Sequence, residues 1–148
     1  MKRMHIHISV EDLDKNIEFY SAMFDAQPTV QQVDYAKWRL DEPSINFAVS
    51  VKGRTVGLNH LGFELDSDAD LEEMSRRIDE HNLDKQEDKG ANCCYAESDK
   101  YWSMDPQGIP WENFHTLNDI PVYGESNQKS QTIGSQCCAG GSINSQCC

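Results

Sequence analysis

Positive charge is scarce in this sequence. Its 13 Lys and Arg residues stand against 25 Asp and Glu residues, which gives a formal net charge of -12 at pH 7 and a pI of about 4.6. Nucleic-acid phosphates are bound by clustered Lys and Arg, and anionic membrane surfaces attract basic segments. The composition therefore predicts that neither nucleic acid nor a membrane surface is a partner.

Long apolar runs are also missing. No segment approaches the roughly 18 consecutive apolar residues that indicate a transmembrane helix. The first residues, Met-Lys-Arg-Met-His-Ile-His, have neither the apolar run nor the small-residue cleavage site of a signal peptide. We therefore expect a cytoplasmic protein whose thiols stay reduced. The 148 residues correspond to about one domain.

Residues 118–148 differ in composition from the rest. This segment is rich in Ser, Gln, Gly and Asn, has no hydrophobic period, and contains Ser-Gln-Cys-Cys at residues 135–138 and again at 145–148. Such a segment offers too little apolar surface to offset the entropy lost on ordering. We predict a disordered Cys-rich tail and a folded core of residues 1–117.

The six cysteines form three adjacent pairs, at residues 93–94, 137–138 and 147–148. Neighbouring Cα atoms lie about 3.8 Å apart, below the roughly 4.4 Å at which disulfide geometry begins. Two adjacent thiols are better suited to binding one soft ion or atom together. Disulfides between different pairs remain the alternative.

The predicted core contains one unit twice. Beginning at His5 and at His60, polar residues alternate with apolar ones, as in a half-buried strand, and an amphipathic helix follows each segment. The two helical stripes are Leu13, Ile17, Tyr20 and Phe24, and Leu71, Met74 and Ile78. Further strands are predicted at residues 35–40, 45–51, 93–97, 100–104 and 109–116. The pattern predicts two strand–helix–three-strand modules, about 1–54 and 55–117, in an α+β fold.

Three residues of these modules are candidates to hold a metal ion. His5 and His60 occupy equivalent places in equivalent strands and face away from the apolar residues, so their imidazoles can converge between the modules. Glu112 follows the turn Asp105-Pro106-Gln107-Gly108 in the last strand. Two histidines and a carboxylate leave open positions on a divalent ion, as in non-haem Fe(II) oxygenases. The alternatives are hydrogen-bonded core histidines and a solvated surface glutamate.

The order of these motifs resembles the vicinal oxygen chelate superfamily. The residues from His5 to Tyr20 resemble its first strand and helix, Asn59-His60-Leu61-Gly62-Phe63 its fifth strand, and Asp105-Pro106-Gln107-Gly108 with Trp111-Glu112 its closing hairpin. The resemblance extends from residue 4 to about 116. It implies two βαβββ modules around a metal, and it leaves the reaction open because this fold serves isomerases, dioxygenases, thiol transferases and binders.

The vicinal thiols narrow the resemblance to one branch of that superfamily. The segment Asn92-Cys93-Cys94-Tyr95-Ala96, followed by Asp99-Lys100 and Pro110-Trp111-Glu112, is similar to the carbon–arsenic lyases and cadmium-induced proteins. The resemblance implies that Cys93 and Cys94 bind a trivalent organoarsenical. Molecular oxygen would then cleave the carbon–arsenic bond and release arsenite.

The same resemblance implies roles for other residues. His5, His60 and Glu112 would bind Fe(II), although members of this branch often have Gln at the place of His5. Tyr95 and Lys100 are candidates to contact the substrate, with packing and surface charge as their respective alternatives. His7 shares the predicted face of His5. It is a candidate to support a metal ligand by a hydrogen bond, and the alternative is a polar residue that is simply hydrogen bonded.

Two other functions remain open at the level of sequence. A glyoxalase-type lyase or isomerase usually has a second carboxylate ligand from the first module, and residues 45–57 contain neither Asp nor Glu. A non-catalytic cadmium- or arsenic-binding resistance protein is consistent with the paired thiols. The expected assembly is a monomer or a homodimer.

Overall fold

The protein folds as an eight-stranded sheet with two helices. The computed structural model describes residues 2–53, 55–93 and 95–119, with the backbone alone at 92, 93 and 119. In chain order the elements are β1 (Lys2–Ser9), α1 (Leu13–Phe24), β2 (Val30–Gln31), β3 (Tyr35–Leu40), β4 (Ile45–Ser50), β5 (Gly57–Leu65), α2 (Asp68–Glu80), β6 (Gln86–Cys93), β7 (Ala96–Met104) and β8 (Pro110–Asp119).

The sheet repeats one topology in each half. Its strand order is β2-β3-β4-β1-β5-β8-β7-β6. The first strand of each half pairs in parallel with the last, β1 with β4 and β5 with β8. The halves meet where β1 and β5 pair antiparallel, within one chain. This arrangement confirms the predicted α+β fold of two βαβββ modules.

Each helix begins at a polar capping residue that the sequence places there. Asp12 accepts a hydrogen bond from the Lys15 amide at 3.0 Å, and Ser67 accepts one from the Asp70 amide at 3.2 Å. Such caps satisfy amides that have no partner within the helix. Both predicted helices are therefore confirmed.

The apolar stripes of the helices pack on one face of the sheet and form two separate clusters. The first cluster contains Val10, Leu13, Ala36, Trp38, Phe47 and Val49. The second contains Leu65, Leu71, Met74 and Ile78. Each cluster lies under the helix of its own module, so each module has its own apolar core.

The opposite face of the sheet, here called the inner face, is polar and also buried. The inward residues of β1 are Arg3, His5, His7 and Ser9. The alternating apolar residues of this strand, such as Ile6 and Ile8, pack instead against the first cluster. Since the helices lie on the other side, the burial of the polar residues means that the sheet curves around its inner face.

The prediction for residues 93–97 is wrong. This segment contains the end of β6, a turn, and the start of β7, where Cys93 pairs with Ala96. The strand β6 was not predicted because its sequence, Gln-Glu-Asp-Lys-Gly-Ala-Asn-Cys, has no apolar alternation. As the outermost strand of the sheet it has a neighbour on one side, and such edge strands tolerate polar sequences.

The other predicted strands and the closing turn are confirmed. At the turn after β7 the Gly108 amide donates to the Asp105 carbonyl at 2.9 Å, and the Asp105 side chain accepts from two further amides. The strand β8 continues to Asp119. The predicted tail lies otherwise outside the described residues, and its disorder stays a prediction. Neither helix in the described part of the chain has the length and apolar character needed to cross a membrane.

Candidate metal centre

His5, His60 and Glu112 meet on the inner face. They come from three adjacent strands, β1, β5 and β8, and all three side chains are buried. The Nε2 atoms of the histidines lie 3.0 Å apart. The Oε2 atom of Glu112 lies 3.2 Å from His60 Nε2 and 3.7 Å from His5 Nε2. The sequence-predicted residues are thus brought together, and their role as ligands stays a prediction.

The separations between these three atoms fit a divalent metal ion. Metal–ligand bonds of about 2.0–2.1 Å place two donors about 3.0 Å apart at right angles and about 3.4 Å apart at tetrahedral angles. The observed distances of 3.0, 3.2 and 3.7 Å span these values. A two-histidine, one-carboxylate set also leaves coordination positions open.

The outer nitrogen of each histidine is fixed by an oxygen. His5 Nδ1 lies 3.1 Å from the backbone carbonyl oxygen of Asn46, and His60 Nδ1 lies 2.7 Å from the side-chain oxygen of Asn59. Because these oxygens accept hydrogen bonds, each Nδ1 carries a hydrogen, and in the neutral tautomer that this fixes the Nε2 lone pair faces the site. Two lone pairs and a carboxylate oxygen therefore point at one place, which a cation would stabilise.

The charge states also suit metal binding near neutral pH. Burial, and then the charge of His60, lower the pKa of His5 from 6.5 to about 4. Burial alone would raise the pKa of Glu112, but Lys100 and then His60 hold it well below its usual range. Metal ligands must be deprotonated, so His5 and Glu112 already have the required state.

Lys100 holds the second oxygen of the proposed carboxylate ligand. Its Nζ lies 2.7 Å from Glu112 Oε1, and both side chains are buried. The alternative that Lys100 is a surface charge is therefore wrong. The pairing fixes the carboxylate so that Oε2 is directed towards the histidines.

His7 offers an alternative third donor. One ring nitrogen from each of His5, His7 and His60 lies within 4.8 Å of the others. However, His7 Nε2 is hydrogen bonded to Ser50 Oγ at 2.9 Å. We prefer the set with Glu112, because its three atoms lie closer together and already converge. Burial, and then His60, lower the pKa of His7 well below its usual range, so this ring is neutral.

Tyr95 is held by Asp34, to which the sequence analysis assigned no role. Its hydroxyl donates to Asp34 Oδ1 at 2.6 Å, and Lys52 pairs with the other oxygen at 2.9 Å. The bond to Asp34, and then burial, raise the pKa of Tyr95 to about 12. Tyr95 therefore links the turn after β6 to the connection between β2 and β3.

The proposed arsenic-binding thiols fall largely outside the described residues. Cys94 is outside them altogether, and Cys93 is described in its backbone alone. The backbone of Cys93 pairs with Ala96, and Ala96 lines the same cavity as His5 and Glu112. The role of both cysteines stays a prediction.

That cavity opens to solvent and is small, with a volume of about 30 Å³. Besides Lys100 it is lined by a second lysine, Lys37, which the sequence analysis missed. The alternation of β3 carries a signal for it, since Ala36 and Trp38 belong to the apolar core and Lys37 must face the other way.

The strand register identifies the place of a fourth ligand. Gly62 is paired with Glu112, and its counterpart in the repeat, His7, is paired with Ala48. Ala48 therefore stands in the first module where Glu112 stands in the second. An alanine side chain has no donor atom, so the described residues supply no second carboxylate at that position.

The fold and the site together define an α+β protein of two modules, in which histidine and carboxylate side chains meet on the inner face of one sheet. Residues 2–112 match the Glyoxalase/Bleomycin resistance protein/Dioxygenase superfamily. The chain belongs to this superfamily.

Relatives with similar sequences include enzymes and induced proteins. The chain is 34% identical over 140 residues to the probable trivalent organoarsenical cleaving enzyme of Bacillus subtilis, covering 93% of this chain and 91% of that protein. It is 31% identical over 158 residues to the trivalent organoarsenical cleaving enzyme of Thermomonospora curvata, covering all of both. It is 33% identical over 144 residues to the cadmium-induced protein CadI of Mycobacterium tuberculosis, covering 95% of each.

Among solved structures, the fold is similar to homoprotocatechuate 2,3-dioxygenase from Arthrobacter globiformis. The TM-score is 0.58 at 20% identity, and the match covers 80% of this chain and 37% of that chain. An extradiol ring-cleaving dioxygenase from B. fuscum gives a TM-score of 0.59 at 20% identity, covering 80% of this chain and 33% of that chain. These likenesses concern the fold.

Proposed function

We propose that this protein is an Fe(II)- and oxygen-dependent carbon–arsenic lyase that converts trivalent organoarsenicals to arsenite. The observation that carries the proposal is the convergence of His5 Nε2, His60 Nε2 and Glu112 Oε2 within 3.7 Å beside an open cavity. The relatives named as trivalent organoarsenical cleaving enzymes support the choice of substrate.

The donor set favours a redox-active ion. Two imidazoles and one carboxylate with open positions are the set of non-haem Fe(II) oxygenases, whereas Zn²⁺ has no redox chemistry. Bound Fe(II) would supply the binding and activation of molecular oxygen. The Asn46 carbonyl and the Asn59 side chain would orient the two histidines, and Lys100 would hold Glu112.

The proposed reaction balances without an external reductant. For a methyl substituent, methylarsenous acid and one dioxygen give arsenous acid and one formaldehyde. The carbon–arsenic bond breaks, one oxygen atom ends on arsenic, and the other ends on carbon. One methyl hydrogen becomes the third hydroxyl hydrogen of arsenous acid.

In this proposal the thiolates of Cys93 and Cys94 bind the substrate. Trivalent arsenic is thiophilic, and a monosubstituted arsenical has two exchangeable positions for two thiolates. Holding the organic group beside the metal centre makes the reaction effectively intramolecular. The backbone position of Cys93 opposite Ala96, at the edge of the cavity, supports this role.

The second candidate function is cadmium or arsenic binding without turnover. The similarity to CadI and the three cysteine pairs favour it. A glyoxalase-type reaction is disfavoured, because Ala48 occupies the place at which the first module would supply a fourth ligand.

The decisive experiment is anaerobic loading with Fe(II), addition of methylarsenite, and then a pulse of oxygen. We expect arsenite, formaldehyde and consumed oxygen in equal amounts. Cys93→Ser and Cys94→Ser should abolish turnover yet still bind Fe(II), and His60→Ala and Glu112→Gln should lose Fe(II) binding and turnover together.

Other results would favour the competing function. Stoichiometric binding of cadmium or methylarsenite with no arsenite released by the Fe(II)-loaded protein would support sequestration. Full activity in both cysteine variants would refute the arsenic-binding assignment, and a full complement of iron in the Glu112→Gln variant would remove Glu112 from the site.

A further inference from the structure

His7 lies between the metal centre and the place where Ala48 stands instead of a ligand. In the register His7 pairs with His60 on one side and with Ala48 on the other. Its ring meets the ring of His60 edge-on, with 4.7 Å between the centroids. It also lines the small cavity that His5 and Glu112 line. A side chain with donor nitrogens therefore stands next to the alanine, which has no donor atom.

One ring nitrogen of His7 is fixed by an oxygen, as in His5 and His60. His7 Nε2 lies 2.9 Å from Ser50 Oγ, and Ser50 is buried. When this hydroxyl oxygen accepts the hydrogen of Nε2, Nδ1 carries the lone pair. Metal-bound histidines almost always donate the hydrogen of their second ring nitrogen to an oxygen or a water. All three histidines therefore have the kind of hydrogen-bond partner that orients a metal-bound ring.

Distance and burial also suit a fourth donor. One ring nitrogen of His7 lies within 4.8 Å of a ring nitrogen of His5 and of His60. Two donors of one ion lie about 3.0–3.4 Å apart, so a small shift of the His7 ring towards the ion is sufficient. These three side chains and Glu112 are each less than a tenth exposed. Burying so many nitrogen and oxygen donors at one place is unfavourable without a cation to bind them.

We propose that His7 is a fourth protein ligand of the metal centre, beside His5, His60 and Glu112. Three imidazoles and one carboxylate complete the tetrahedral set that Zn(II) favours, so the centre binds Zn(II) in a closed form. Fe(II) accommodates further ligands and keeps open positions. The inference rests on the metal centre of the proposed function, and it adds the number of protein ligands and the class of ion that this centre takes.

The direct test counts the histidines that bind the ion. The full-length wild-type protein, with its histidines labelled by a heavy nitrogen isotope, is compared by NMR in the metal-free and the Zn(II)-loaded forms. Its thiols are capped as methyl disulfides, so that Zn(II) meets only nitrogen and oxygen donors. A ring nitrogen whose lone pair binds Zn(II) changes its chemical shift. We expect three of the five histidines to respond in this way, and a response of two or fewer would overturn the inference.

Variants identify the third histidine. One donor in a four-donor zinc site contributes on the order of 100-fold in affinity, so His7→Gln should weaken Zn(II) binding by this factor and leave two responding histidines. Ser50→Ala should weaken binding by less, about 10-fold. The matched control His81→Gln, which removes an exposed histidine, should leave the affinity unchanged. Wild-type Zn(II) affinity in a folded His7→Gln protein would overturn the inference.

These measurements involve neither arsenic nor oxygen, so they separate the inference from the proposed function. Three responding histidines in a protein that turns over no methylarsenite would support the four-donor centre and refute the lyase. Two responding histidines in a protein that releases arsenite would support the lyase and refute the role of His7.

Discussion

At the scale of single residues, the proposed histidine ligands are oriented by the groups that hydrogen bond to their outer nitrogens. The Asn46 carbonyl and the Asn59 side chain hold the outer nitrogens of His5 and His60 at 3.1 and 2.7 Å. Asn59 is itself held by its amide nitrogen, which donates to Ser9 Oγ at 2.9 Å. The orientation of His60 therefore depends on a neighbour in the chain and on an adjacent strand.

Replacing Asn59 should weaken metal binding without touching a ligand. Outer-shell partners of metal-bound histidines typically contribute 10- to 100-fold in affinity, so we expect about this loss for Asn59→Ala. Asn59→Asp keeps an acceptor for the Nδ1 hydrogen and should retain most of the affinity. Anaerobic titration with Fe(II) or Co(II) measures both, and equal weakening in the two variants would contradict the orientation argument.

The metal-free protein should lose stability on acidification. The pKa of His5 is about 4 in the folded protein against 6.5 ordinarily, so between these values the unfolded chain binds a proton that the folded chain does not. The contribution of His5 to the free energy of unfolding is therefore complete above pH 6.5. It is lost as the pH falls towards 4. Urea unfolding of the metal-free protein at several pH values measures this, and His5→Gln should flatten the dependence.

At the scale of elements, pairing of β5 with β8 depends on a glycine. A Cβ atom on Gly62 would lie 1.7 Å from the Glu112 carbonyl oxygen, which is backbone and cannot move aside freely. The strand that carries His60 therefore approaches the strand that carries Glu112 more closely than a side chain at this position permits. This close approach helps to bring the two proposed ligands together.

Gly62→Ala should accordingly destabilise the fold and disturb the metal centre. Overpacking of this kind typically costs about 1–3 kcal/mol. Thermal or urea unfolding measures the stability, and Co(II) titration measures the affinity of the metal centre. Gly90→Asn is the matched control, because a Cβ there meets only Glu97 Oε1 at 3.9 Å, and its φ of 60° lies in the left-handed region where Asn is enriched. Wild-type stability of the Gly62→Ala protein would refute the close-approach argument.

The elements that sequence reasoning predicted are those with a clear hydrophobic period. The alternation in β1 and β5 indicated both the core face and the inward histidines, and the repeat related His5 to His60. The edge strand β6 has no such period and was missed. Asn46 was missed for a different reason: strand register, which the local sequence does not specify, decides which side chains it stands beside.

At the scale of the whole molecule, the negative charge lies in residues 1–119. Residues 120–148 contain one Glu and one Lys, so their formal charges cancel and the remaining residues carry the net charge of -12. The tail instead contributes four of the six cysteines. We propose that these cysteines capture arsenicals and pass them to Cys93 and Cys94 by thiol exchange.

Deleting residues 120–148 should separate capture from catalysis. The fold and the maximal rate should stay nearly unchanged, because every helix and strand of the described residues and every proposed ligand is retained. A flexible tether raises the effective concentration of a captured substrate, so the truncated protein should have a higher KM for methylarsenite. Steady-state kinetics at low substrate measure this. Unchanged kinetics would refute the capture role, and failure to fold would refute the predicted disorder of the tail.

The two modules meet by edge-to-edge pairing of β1 with β5. A protein joined in this way should divide into two fragments more readily than one built around a single apolar core. Each module has its own apolar cluster under its own helix, while the proposed ligands come from both. Two separately expressed half-chains should therefore reassemble, and an ion bound by ligands from both halves should stabilise the reassembled pair. Such a split pair would report on ion availability in a living cell by assembling or falling apart.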